Sequence, residues 1–115
     1  MKIKRFEEVP DKPVTMEGAE GVRMRMLLSP DDGADNFVMR MFELGPGGHT
    51  PLHAHDWEHE IYVLDGQGII TFEGQDYPLT PGCVLLVPGG REHQFRCTDP
   101  KIFRFLCIVP SSAQS

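Results

Sequence analysis

Three of the chain's five histidines, His53, His55 and His59, fall within seven residues, in the stretch His-Ala-His-Asp-Trp-Glu-His. On a helix, His55 and His59 would share a face, while His53 would lie about 200° from His55. On a strand, positions 53, 55 and 59 have one parity, so all three side chains point one way. Pro51 upstream and Ile61-Tyr62-Val63-Leu64 downstream both favour a strand. Glu58 and Glu60 have the opposite parity. Neutral imidazoles crowded on one face form either a metal site or a costly cluster of buried polar rings. A lone histidine in a turn needs no such explanation. Imidazole suits Zn, Cu, Fe and Ni, and Mn less readily.

The elements that must position these residues are short and punctuated by 12 glycines and 10 prolines. Ile3–Phe6 reads as a short edge strand in an irregular arm over residues 1–21. Val22–Met26 alternates apolar and basic residues, as a half-buried strand does. Asn36–Leu44 is a further strand, ended by Gly45-Pro46-Gly47-Gly48. Asp65-Gly66 is a two-residue hairpin signal, with Ile69–Phe72 as the return strand. Thr80-Pro81-Gly82 fits a type II turn, and Val87-Pro88-Gly89-Gly90 is read as a second one. Cys83–Val87, Glu92–Cys97 (carrying His93) and Ile102–Val109 are the remaining strands, and 111–115 is a polar tail. No segment shows capped 3.6-residue periodicity, so the expected fold class is all-β, a sandwich or barrel. Both faces of Ile61–Leu64 and Ile102–Val109 are apolar. One face can fill a barrel and the other needs cover, which a homodimer formed by sheet packing would supply.

Net charge is -6 with pI near 5.2, and no Lys/Arg cluster offers a phosphate footprint. This argues against nucleic acid and against anionic membranes as partners. No apolar run reaches the roughly 18 residues of a membrane span, and residues 1–8 lack the apolar core of a signal peptide. Cys83, Cys97 and Cys107 are odd in number and include no Cys-x-x-Cys pair, the pattern of reduced thiols in a cytoplasmic protein.

Two blocks of residues carry a family resemblance. Gly47, five residues, His53-Ala-His55, a short spacer, Glu60, five residues and Gly66 resemble the first motif of the cupins. Gly82, five residues, Pro88-Gly89-Gly90, two residues and His93 resemble the second. The resemblance implies a double-stranded β-helix, or jelly-roll, barrel over residues 22–110 with a metal inside. It further implies His53, His55 and His93 as ligands, with His59 or Glu60 as the fourth. Strand parity favours His59, as in small cupins with four histidines, and Glu60 is the alternative.

One divalent ion per chain, Mn, Fe, Zn, Ni or Cu, would keep its full +2 charge among four neutral imidazoles. If it were six-coordinate, two positions would remain open to oxygen-donor ligands. By strand parity, Phe95 shares the face of His93, and Phe105 and Cys107 share the inner face of the last strand. Arg40 is the candidate pocket cation, and together these suit a small, partly apolar molecule. The expected function is that of a metal-dependent oxidoreductase of the dioxygenase kind. The alternatives are a metal-dependent isomerase or lyase and a non-catalytic binding or sensing module. Metal affinity is expected to fall below pH about 6.5, where free imidazole gains its proton.

Overall fold

The computed structural model describes residues 1–113. Nine strands form among them: β1 (Lys12–Pro13), β2 (Glu20–Leu28), β3 (Phe37–His49), β4 (His59–Asp65), β5 (Gly68–Phe72), β6 (Gln75–Leu79), β7 (Val84–Val87), β8 (His93–Cys97) and β9 (Phe103–Pro110). Short 3-10 turns at Phe6–Glu8 and Pro30–Asp32 are the helical pieces described, and neither is long and apolar enough to cross a membrane. The strands follow the order β6-β5-β8-β3-β9-β4-β7, with β2 paired to β3 and β1 to β2. Every strand pairing among the described residues is antiparallel, and the sheet curls on itself into the all-β jelly-roll barrel expected from the sequence.

Strict alternation builds the interior. Phe103, Phe105, Cys107 and Val109 of β9 are 0–3% exposed, while Arg104, Leu106 and Ile108 between them face outward. Ile61 and Val63 of β4, Phe95 and Cys97 of β8, and Val38 and Leu44 of β3 complete the core. The other face of β3 is covered by the N-terminal arm. There Glu43 is buried and accepts hydrogen bonds from Arg25 Nε (3.1 Å) and from Arg104 Nη2 (2.6 Å) and Nε (3.1 Å). The Phe6 ring lies against both guanidinium groups, 5.4 Å from Arg25 and 5.5 Å from Arg104. A buried carboxylate is tolerated there because both its oxygens are engaged by cations.

Several local expectations are corrected. Residues 3–6 form no strand. The arm instead makes its 3-10 turn and then contributes Lys12–Pro13 as the edge strand on β2. The Gly45–Gly48 run does not end β3, because His49 still pairs with Glu20 on one side and Arg96 on the other, and a bulge absorbs the extra residues. Asp65-Gly66 does not close a hairpin: β4 pairs with β7 and β9, whereas β5 pairs with β6 and β8. Gly66, at φ 76° and with its α-carbon against the Ile102 carbonyl, turns the chain from one region of the sheet to the other. The true two-residue hairpin is Glu73-Gly74, both at positive φ, between β5 and β6. The Thr80–Cys83 turn closes as expected, with Cys83 N donating to Thr80 O at 3.1 Å and Gly82 at φ 95°. The second turn is not of that type, since its positive φ falls on Gly90 and the Gly90 amide donates to His55 O. Of the C-terminal tail, Ser111 is tied to Asp35 and Asn36 by hydrogen bonds, and residues 114–115 lie outside those described.

Candidate metal centre

The three clustered histidines do not share one strand, so the parity reading needs correction. His53 forms an isolated bridge with His93 of β8, its amide donating at 3.1 Å and its carbonyl accepting at 2.9 Å. His55 sits in the loop that follows, and His59 opens β4. That loop is docked on the 88–90 turn: the Gly90 amide donates to His55 O at 2.6 Å, and Gly89 packs against the Asp56 carbonyl so closely that a Cβ would overlap it. Convergence of the rings is therefore a tertiary result.

One ligand nitrogen each from His53, His55 and His93 lies within 4.8 Å of the other two. Two ion–nitrogen bonds of about 2.1 Å can span at most about 4.2 Å, so these donors sit close to bound spacing. His59 is outside that group of three but adjoins it, its ring centroid 4.3 Å from His55 and 5.3 Å from His93. Glu60, the alternative fourth ligand, is exposed and points to the opposite face of β4.

The donor chemistry fits an ion. His55 Nδ1 pairs with the Trp57 carbonyl at 3.1 Å and His93 Nδ1 with the Arg91 carbonyl at 2.9 Å. A carbonyl can only accept, so each Nδ1 carries the proton and each Nε2 presents its lone pair. Both Nε2 atoms, and both ring nitrogens of His59, are buried without a hydrogen-bond partner among the described residues. Three of these four nitrogens are lone-pair acceptors, since neutral His59 keeps one N–H, and orphaned buried acceptors in this number are costly unless something electropositive meets them. Burial pushes the His53 imidazole down to about 4, helped by His93 and His55. Burial also pushes His59 down to about 2, helped by His55, His93 and the Arg40 charge. His55 is lowered by burial too, against the opposing pull of the Trp57 carbonyl. All three are thus neutral, the state a ligand needs, at neutral pH.

The four histidines border a cavity of about 340 Å³. Arg40, Phe95, Phe105 and Cys107 all line it. Arg40 is buried, with Nη2 3.2 Å from Cys107 Sγ and its guanidinium 5.1 Å from the Phe42 ring centroid. Phe105 packs between Phe42 (5.5 Å) and Phe95 (4.7 Å), giving an aromatic wall. Sequence reasoning missed the contribution of Lys12–Met16, Val22 and Met24, which reach the cavity through pairing that no local pattern reveals. The Trp57 indole stacks on His55 at 4.5 Å and 4°. His49, the fifth histidine, is turned toward Glu20, with Nε2 3.7 Å from the carboxylate.

The family model for the cupin domain matches residues 40–109. The chain belongs to the cupin family. Among solved structures, this cupin is similar to the polyketide cyclase RemF from Streptomyces resistomycificus, with 37% identity and a TM-score of 0.93 over 97% of this chain and 80% of that one. It is 32% identical to the oxalate-binding protein of Thermotoga maritima over 95% of this chain and 93% of that protein. A third relative is the 1-methylthio-D-xylulose 5-phosphate methylsulfurylase of Rhodospirillum rubrum, 35% identical over 62% of this cupin; the match spans 46% of the relative's length.

Trp57 is the chain's one tryptophan, and its stacking on His55 makes it a reporter of the centre. Titrating metal-free protein with Co²⁺ should change Trp57 emission with one-to-one stoichiometry. His93→Ala and His59→Ala should weaken binding at least tenfold, and Glu60→Gln should leave it within twofold. Unchanged affinity in His59→Ala would remove that residue from the ligand set.

The pH expectation shifts with the geometry. Depressed histidine values delay proton competition for the metal below pH 6.5. They also mean that the unfolded chain takes up protons near 6.5 that the native state refuses until about 4 at His53 and about 2 at His59. The associated stability is fully present above pH 6.5 and declines as pH falls through that window. The urea midpoint of metal-free protein should therefore drop between pH 7.5 and 5, and a flat profile would contradict the burial of neutral imidazoles.

Proposed function

We propose that this cupin is a metal-dependent enzyme that activates an oxygen-donor substrate with a flat, apolar body, in a redox-neutral reaction of the cyclisation or isomerisation kind. The observation that carries the reading is the set of inward, unprotonated imidazole nitrogens beside an aromatic-walled cavity of about 340 Å³. His53, His55, His59 and His93 would hold one divalent ion, Mn, Fe, Zn, Ni or Cu, by nitrogen. Such an ion supplies Lewis acidity, polarising a carbonyl or enol oxygen. Arg40 supplies a second, fixed positive charge in the same wall and orients a further substrate oxygen. Phe42, Phe95 and Phe105 pack the apolar body and exclude water.

The name of the RemF relative supports cyclase-type chemistry and moves the balance from the dioxygenase expected of the sequence. Oxalate, named for the Thermotoga maritima relative, has six heavy atoms and would leave most of this cavity unfilled. Three unpaired cysteines, two of them buried, suit a reducing cytoplasmic compartment.

Zinc-loaded protein should accelerate α-proton exchange of an aryl-fused ketone such as 2-tetralone in D₂O at least tenfold over metal-free protein, with no dioxygen uptake. Oxygen consumption by the iron-loaded form alone, with no exchange in the zinc form, would replace this reading with the dioxygenase one. Binding without either would make the chain a non-catalytic sensor or carrier.

The homodimer belongs to the same proposal. Tyr62, Val84 and Leu86 are 48%, 71% and 60% exposed on the outer face of β4 and β7, beside Leu106 and Ile108 of β9. A second copy packed on this face would cover it. Sedimentation should give twice the chain mass, and Val84→Arg with Leu86→Arg should give the monomer. A wild-type monomer at micromolar concentration would refute the dimer.

A further inference from the structure

One stretch of the cavity wall comes from outside the part of the chain that the cupin model matches. Lys12, Pro13, Val14, Thr15 and Met16 line the cavity, whereas the family match begins at residue 40. This strap has little ladder of its own. Lys12 and Pro13 pair with Met24 and Arg23, and the Val14 amide donates to Val22 O at 2.9 Å. Only Val14 of the five is partly buried. A two-residue ladder carrying exposed side chains is marginal by itself.

The strap is held from its flank instead. Arg23 Nε donates to the Asp11 carboxylate at 2.6 Å, and Arg25 Nη1 donates to the carbonyls of Phe6 (3.2 Å) and Val9 (2.8 Å). Phe6 rests on the guanidinium groups of Arg25 and Arg104, which Glu43 fixes from beneath. Alternation along β2 separates two tasks. Arg23 and Arg25 grip the arm on one face, while Val22 and Met24 line the cavity on the other.

We propose that Lys12–Met16, hung from the Phe6 clamp, is the specificity-determining wall of the site. It contacts the part of a flat apolar substrate that the imidazoles do not hold, and so selects for ring size. The proposal rests on the metal-centred reading above for its substrate class. Phe6 is then a positioning residue: it touches no ligand and acts through the strap.

The test uses zinc-loaded full-length protein and two non-reacting probes with the same chelating end, catechol and 2,3-dihydroxynaphthalene, measured by calorimetry. In Phe6→Ala, affinity for the bicyclic probe should fall at least tenfold while catechol stays within threefold. Loss of both in parallel, or of neither, would overturn the proposal. Hydrogen exchange at the Val14 amide in metal-free protein supplies a readout independent of zinc. Protection seen in the wild type should be lost in Phe6→Ala and restored in Phe6→Tyr. Unchanged protection in Phe6→Ala would overturn the clamp. If zinc-loaded wild type binds neither probe, the metal-centred reading fails, and the exchange result alone decides whether the clamp holds the strap.

Discussion

The site depends on two hydrogen bonds to backbone carbonyls, from His55 to Trp57 O and from His93 to Arg91 O. Each fixes a tautomer and a ring plane together, and so decides which nitrogen faces the cavity. The carbonyls are themselves placed by the docking of the 54–58 loop on the 88–90 turn and by the His53–His93 bridge. Much of the surrounding fold supports this contact. The core side chains of β3, β8 and β9 give the rings an apolar setting in which their charged forms are disfavoured.

Polar groups elsewhere in the interior obey the same accounting. Glu43 is buried between two arginines, and Arg40 lies against Cys107 and over Phe42. On β3 these residues fall on opposite faces, Arg40 toward the cavity and Glu43 toward the arm. A single alternating strand thus separates a charge suited to a ligand from a charge that anchors structure.

The sequence made the fold class legible through its short strands and turn signals, and the two spaced histidine blocks made the jelly roll legible through family resemblance. Period-2 alternation correctly put Phe105 and Cys107 on the inner face of the last strand. What failed was whatever depended on long-range pairing. Asp65-Gly66 has the local chemistry of a hairpin, but the strands it joins find other partners across the barrel. Gly45–Gly48 has the composition of a break, yet partners on both sides keep the strand going through His49. His53, His55 and His59 were placed together by a parity argument whose premise, one continuous strand, does not hold, so their proximity was anticipated for the wrong local reason. The arm's part in the cavity had no signal in the residues at all, because the Arg25 and Arg104 clamp brings together positions that are far apart in the chain.

The placement of His59 and His93 has a mechanical consequence. Their strands, β4 and β8, are separated along the sheet by β9 and β3 and exchange no ladder hydrogen bonds. An ion gripped by both would act as a cross-brace between β4 and β8, reinforcing a seam where the backbone contributes the His53–His93 bridge and the Gly90–His55 hydrogen bond. Free ion at a hundred times its dissociation constant would add about 2.7 kcal/mol to the native state. For a domain of this size that is a sizeable share of the total, so the same atoms that govern chemistry would also govern how tightly the two halves of the barrel stay shut.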